Sequence, residues 1–147
     1  MDSTLLEQYK AVIGDIGNIG TRYTTANRFY LSVVSAFVGV LALTESGKPP
    51  EELNLALVLV VSVFAMVICY IWTKTVGFYR ALFGAKLQIL GEMEKGLSFP
   101  AYTREFEIMK ANGVAPLTEN ERKVPLILWG FFGAVAALSV VLMFAQP

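Results

Sequence analysis

The chain has 147 residues, 55% hydrophobic and 16% charged, with 12 Lys plus Arg against 12 Asp plus Glu and no histidine. Soluble domains carry about 25% charged residues, so this composition points to a protein embedded in lipid. A net charge of zero with no basic run argues against nucleic acid as a direct partner, and the missing histidine removes the usual general base and the commonest metal ligand.

The N-terminus, MDSTLLEQYK, opens with an acid and lacks a basic stretch, an apolar core and a small-residue cleavage site, so no removed signal peptide is expected. Residues 1–23 read as an N-terminal amphipathic helix. Within it Gly14, Gly17 and Gly20 recur every third position. Each costs a helix about 1 kcal/mol relative to alanine. They therefore mark either a hinge or close-contact face, or an irregular amphipathic segment on the membrane surface.

The first predicted span covers residues 24–44. Its unbroken apolar part, Phe29 to Leu43, is only about 22 Å long at 1.5 Å per residue, short of a ~30 Å hydrocarbon core. The span must begin within Thr21 to Arg28, which puts Asn27 and Arg28 at or just inside the boundary. Arg28 either snorkels to the headgroups or, with Asn27, faces a wet interior or a subunit contact. Tyr23, Asn27 and Tyr30 follow i, i+4, i+7 spacing and share a helix face.

An external loop is expected at 45–52 and a second span at 53–72, LNLALVLVVSVFAMVICYIW, which has neither charge nor proline. The lone cysteine, Cys69, lies inside this span and reads as packing; a disulfide framework or multi-cysteine metal site is excluded. No proline follows until Pro100, so one helix of roughly 65 Å is expected from Leu53 to Lys95. Trp72, Val76, Tyr79, Phe83, Leu90 and Met93 form one bulky seam, interrupted by Lys86. Phe78, Leu82, Ala85 and Ile89 form a second beside it. Gly77, Ala81, Gly84 and Gly91 make a stripe of small residues on the opposite side. Small stripes permit close backbone approach in membrane helix pairs, so these four are candidates for a subunit interface, the bulky side packing on the same chain. The competing reading is a monomeric hairpin laid on the lipid surface.

Residues 73–123 form the predicted cytoplasmic helical region. It holds eight Lys or Arg, while the loop between the first two spans has only Lys48. Positive charge collects on the cytoplasmic side, so the N-terminus and this region are expected there. Pro100 should introduce a short helix over Ala101 to Ala111, stopped by Asn112-Gly113. Thr118-Glu119-Asn120-Glu121 fits a capping box ahead of the third span, 124–144, with Pro125 near its start. Residues 145–147 would be an external tail. The expected class is thus an all-α integral membrane protein with three transmembrane helices.

No catalytic, cofactor or metal site is expected. The acid pairs Glu92/Glu94, Glu105/Glu107 and Glu119/Glu121 are i, i+2 neighbours that point to different faces and read as solvated charges. No phosphate-binding loop, dinucleotide fingerprint or metal spacing occurs, no charge lies mid-span, and an enzyme is not expected.

EQYK near the start, IGTRYTTANRFYLS (Ile19 to Ser32), IWTKTVGFYRALFGAKLQILGEME (Ile71 to Glu94) and LTENERKVP (Leu117 to Pro125) resemble, in order and spacing, the RipA family of octameric bacterial membrane proteins. More distantly they resemble the membrane-pore accessory protein encoded beside some type VI CRISPR nucleases. The pattern is matched at Arg22, Asn27, Tyr79-Arg80, Lys86, Glu92 and Glu94. It is departed from at Tyr23, where a second basic residue stands in the family, and at Val34, where an asparagine often does; a pore role resting on those two positions does not carry over. The resemblance implies a ring of eight copies in the bacterial cytoplasmic membrane with a vestibule built from the helices after the second span.

Two function classes follow. The ring is either a gated pore with its mouth at Arg22, Asn27 and Arg28, or a membrane scaffold whose cytoplasmic crown of Arg80, Lys86, Glu92 and Glu94 docks a protein or small effector. Expected partners are membrane lipid, further copies of the chain and an unidentified cytoplasmic protein. The best polar stripe on any span is Ser32, Ser35 and Gly39, which disfavours a constitutively open channel but not a dry gated one.

Overall fold

The computed structural model describes residues 3–45, 54–113, 121 and 123–145, and among these it is all-helical. The helices are α1, Ser3–Glu45; α2, Leu55–Glu94; α3, Ala101–Ala111; and α4, Lys123–Ala145. Three are long and apolar enough to cross a membrane, within Ser3–Leu43, Leu55–Glu94 and Lys123–Ala145. The loop expected at 45–52, apart from Glu45, lies outside the described residues, as does the capping box apart from Glu121.

The N-terminal amphipathic helix and the first span are one element. No proline interrupts α1, and the hydroxyls of Thr21, Thr24 and Thr25 bond back to the carbonyls of Gly17, Gly20 and Thr21, so its polar residues are satisfied without leaving the helix. α2 likewise runs unbroken from the apolar run into the charged segment. At its start Asn54 Oδ1 accepts from the Leu57 N–H at 3.0 Å, an N-cap bond.

The chain divides into two compact units, Met1–Thr25 with Val76–Glu121, and Ala26–Thr75 with Arg122–Pro147. In the second unit the core is Val34, Ala65, Cys69 and Phe132. The small side chains of α2 leave room for the Phe132 ring, which is wholly buried. Since lipid tails are as apolar as the core, close packing rather than escape from water holds such helices together. Gly133 lets Met66 approach, its Cε lying 3.6 Å from where a Cβ would stand. Pro125 sits buried in the first turn of α4, where a missing N–H costs little.

In the first unit Val76 and Leu90 are buried on the bulky seam of α2, with Tyr79, Phe83 and Met93 half-buried. Tyr23 on α1 packs against Tyr79 and Phe83, with ring centroids 5.5 and 6.4 Å away. At Gly20 a Cβ would stand 3.9 Å from the Phe83 ring, so α1 passes close to that side chain. Lys86 interrupts the seam because it reaches Asp15 on α1, 2.9 Å away.

Candidate functional site: the outward face of the first helix

In the second unit α1 presents a mildly polar stripe. Arg28, Ser32 and Ser35 are exposed and Gly39 is half-buried with open space around it. Their spacing of four, three and four keeps them on one helix face. The Ser32 hydroxyl bonds the Arg28 carbonyl at 2.9 Å, which quenches its donor yet leaves oxygen lone pairs facing outward. Only 6% of the apolar window of α1 is buried, against 33% for α2. The first span is therefore the least enclosed by its own chain.

Asn27 lies on a neighbouring side of α1, about 100° around the helix from Arg28. Its Oδ1 accepts the indole N–H of Trp72 at 2.8 Å. Trp72 is buried and stacks on Tyr30, ring centroids 5.9 Å apart and 14° from parallel, while Tyr30 and Thr75 hydroxyls meet at 3.1 Å. Asn27 thus ties α1 to α2, whereas Arg28 is exposed. Between the three membrane helices a crevice of about 430 Å³ is lined by Val38, Leu41, Leu55, Val58, Phe131 and Leu142, among others. Its polar lining residue, Ser139, already bonds the Val135 carbonyl, so the crevice offers no reactive group.

In the first unit Gly14, Asn18, Arg22, Thr21 and Thr25 of α1 are exposed. The four expected crown residues separate into different environments. Arg80 and Glu92 are exposed, Glu92 accepting from Gln88 at 3.3 Å. Lys86 is paired with Asp15, whose carboxyl is held below its usual range by the hydrogen bond and charge of that ammonium.

Glu94 departs from the expected solvated charge. It is 2% exposed and accepts four hydrogen bonds: from the Tyr9 hydroxyl at 2.8 Å, the Tyr102 N–H at 2.7 Å, the Thr103 N–H at 2.9 Å and the Thr103 hydroxyl at 2.5 Å. The reason lies in α3, whose N-cap is Pro100 and has no side-chain acceptor. The end of α2 supplies the missing acceptor to the second and third N–H groups of α3. Burial would raise the Glu94 pKa, but the bonds from Thr103, Tyr9 and Tyr102 together hold it below 4.5. Tyr9 moves the other way, up to about 12, through burial and then its bond to the Glu94 carboxylate. Tyr23 donates to Glu121 in a similar junction.

The stripe Gly77, Ala81 and Gly84 is exposed and Gly91 half-buried, and a Cβ on Gly77, Gly84 or Gly91 would meet nothing within 4 Å. Sequence reasoning missed Tyr9, Asp15 and Thr103, partners that lie 85, 71 and 9 residues from theirs; a lysine inside an apolar seam was the signal for the second. Among the described residues no group of three or more Cys, Asp or Glu could hold a metal ion.

A family model, the octameric membrane protein family (8xMP), matches residues 6–142. The chain belongs to this family. Neither the curated proteins nor the solved structures give a match. Membership in the octameric membrane protein family makes the chain an integral membrane protein and, by the family's own description, implies a homo-oligomer. Surfaces left open on the single chain, above all the first span, belong in that context.

Proposed function

We propose that eight copies form a ring enclosing a gated pore in the bacterial cytoplasmic membrane, lined by the outward face of α1. The observation that carries this reading is the exposed series Arg28, Ser32, Ser35 and Gly39 on a span that its own chain scarcely covers. Polar and charged groups in membrane segments favour a water-filled or protein interior over lipid. Arg28 and its seven symmetry copies would make a ring of positive charge at the mouth. Beyond Ser35 the face passes to Gly39 and Ala42, and such an apolar stretch gates by dewetting. Arg28 keeps its place at the mouth in this reading, and Asn27 becomes the residue that holds α1 on α2.

The charge distribution supports a cytoplasmic N-terminus and cytoplasmic 73–123 region, with the C-terminus outside. Neighbouring copies meet along Gly77, Ala81, Gly84 and Gly91, where the backbone is open to close approach. The scaffold alternative is less well supported, because two of its four crown charges, Lys86 and Glu94, are committed within the chain. No catalytic step is assigned.

The test is conductance of the purified octamer, its mass verified, in a planar bilayer. Discrete currents altered by Arg28→Ala and by Ser32→Leu are expected. A tight membrane around an intact octamer overturns the pore.

A further inference from the structure

The helix α3 is fixed firmly at its first turn, yet its own side chains stay open. Its first turn is bound through Tyr102 and Thr103 to the buried Glu94 carboxylate, while none of its own 11 residues is buried. Phe106 is 54% and Met109 42% exposed; with Tyr102 they follow i, i+4, i+7 spacing and share one face. Ordering a helix costs conformational entropy, and an apolar patch held in a fixed place is the mark of a contact surface. The same unit leaves Ile89 of α2 46% exposed.

We infer that the apolar face of α3, centred on Phe106 and Met109, docks on the Ile89 side of α2 in the adjacent copy of this chain. The inference rests on the ring reading and adds the contact that would close it. A ring needs two different, complementary patches on each copy. In a ring whose axis follows the membrane normal, every residue lies at one depth in all copies. The start of α3 is tied to Glu94, and Ile89 stands five residues, or about 8 Å, before Glu94 on α2. Phe106 lies four residues, or about 6 Å, along α3 from Tyr102, so whichever way α3 runs the two apolar surfaces lie within about 15 Å of one another in depth.

Charge selects the same pairing. Lys110 lies one turn beyond Phe106 on α3, and Glu92 lies beside Ile89 on α2, both exposed; docking Phe106 on Ile89 brings opposite charges together at the rim. A lipid surface fits less well. Interfacial helices carry an excess of Lys and Arg on the polar face, whereas α3 balances Arg104 and Lys110 with Glu105 and Glu107, and Arg104 is already paired with Glu107 at 2.9 Å.

The test uses the full chain in membranes, with Cys69→Ala as background and Ile89→Cys and Phe106→Cys introduced together. Oxidation should give a ladder of covalent oligomers reaching eight copies on a denaturing gel, and no ladder when either new cysteine is present alone. An octamer intact by native mass spectrometry that gives no ladder, or a disulfide closed within one chain, overturns the contact. A monomeric parent protein would instead remove the ring, and the contact with it. Lys110→Glu should weaken the octamer and Glu92→Lys should restore it; an octamer indifferent to both overturns the charge pairing. A fluorophore on Phe106→Cys should resist quenching by lipid-borne nitroxides, since strong quenching would assign the face to the bilayer.

Discussion

The Tyr9 hydroxyl donates to Glu94 Oε1 across 2.8 Å, joining residues 85 positions apart. The same carboxylate receives the start of α3, so one buried group fastens the first helix, the end of the second and the beginning of the third. Removing it with Glu94→Ala strands the Tyr9 hydroxyl, two backbone N–H groups and the Thr103 hydroxyl. A buried donor left unpaired costs about 1–3 kcal/mol, so a loss of about 3 kcal/mol or more is expected. Tyr9→Phe removes a single bond to a charged acceptor and should cost about 1.5–3 kcal/mol. Unfolding in detergent micelles, with limited proteolysis near α3, measures both. Equal losses in the two variants would show that the carboxylate is not the shared anchor.

The junction also sets a pH window. The native Glu94 pKa lies below its ordinary 4.5, so its stabilisation is complete above about 4.5 and disappears as pH falls through the lower native value. Tyr9 is raised from 10.0 to about 12, so its contribution is complete below about 10 and disappears as pH rises through 12. The difference in melting temperature between the parent and Glu94→Gln should therefore stay constant between those limits and shrink on the acid side. A difference that instead grew on acidification would have the sign wrong.

The helices and the three candidate spans were legible because apolar runs and 3.6-residue periodicity are local signals. The bulky seam of α2 was legible for the same reason, Trp72, Val76 and Leu90 all being buried. Glu94 was not. As one half of an i, i+2 acid pair it has the pattern of a solvated charge, and only the arrival of Tyr9 and α3 buries it with four hydrogen bonds. Asn27 was read as a polar group near a boundary, but which way it points depends on Trp72, 45 positions away. Asn18, Thr21, Thr25 and Arg28 continue the interval of Ser32 and Ser35 back toward the N-terminus, a pattern that spans the boundary at residue 23 because α1 is one helix.

Asn27 and Ser32 should separate stability from permeation. Asn27→Leu leaves the Trp72 indole N–H without its acceptor; membrane hydrogen bonds average about 0.6 kcal/mol with a maximum near 1.7, so a loss of about 1 kcal/mol is expected with single-channel currents unchanged. The Ser32 hydroxyl bonds the Arg28 carbonyl of its own helix, so Ser32→Leu should leave the melting temperature unchanged and reduce the current. Recording and melting both variants side by side checks the assignment. The reverse result would return Asn27 to the pore and place Ser32 against lipid.

Gly84→Leu tests the small-residue face. A Cβ at Gly84 meets nothing within 4 Å, so the larger side chain has open space in the single chain, and replacing glycine in a helix interior is itself favourable by up to about 1 kcal/mol. Insertion and helix content should therefore survive. Between copies the balance reverses, because close backbone approach leaves no room for an isobutyl group, and overpacking a filled contact costs about 1–3 kcal/mol. Spread over eight equivalent interfaces, even the lower figure is enough to favour smaller species at working concentration. Size-exclusion chromatography with light scattering should show a folded variant that no longer forms the parent oligomer. A variant that still assembled fully would place the subunit contact elsewhere on α2, and Gly84→Ala, which adds one methyl group, should fall between the two if close approach is the cause.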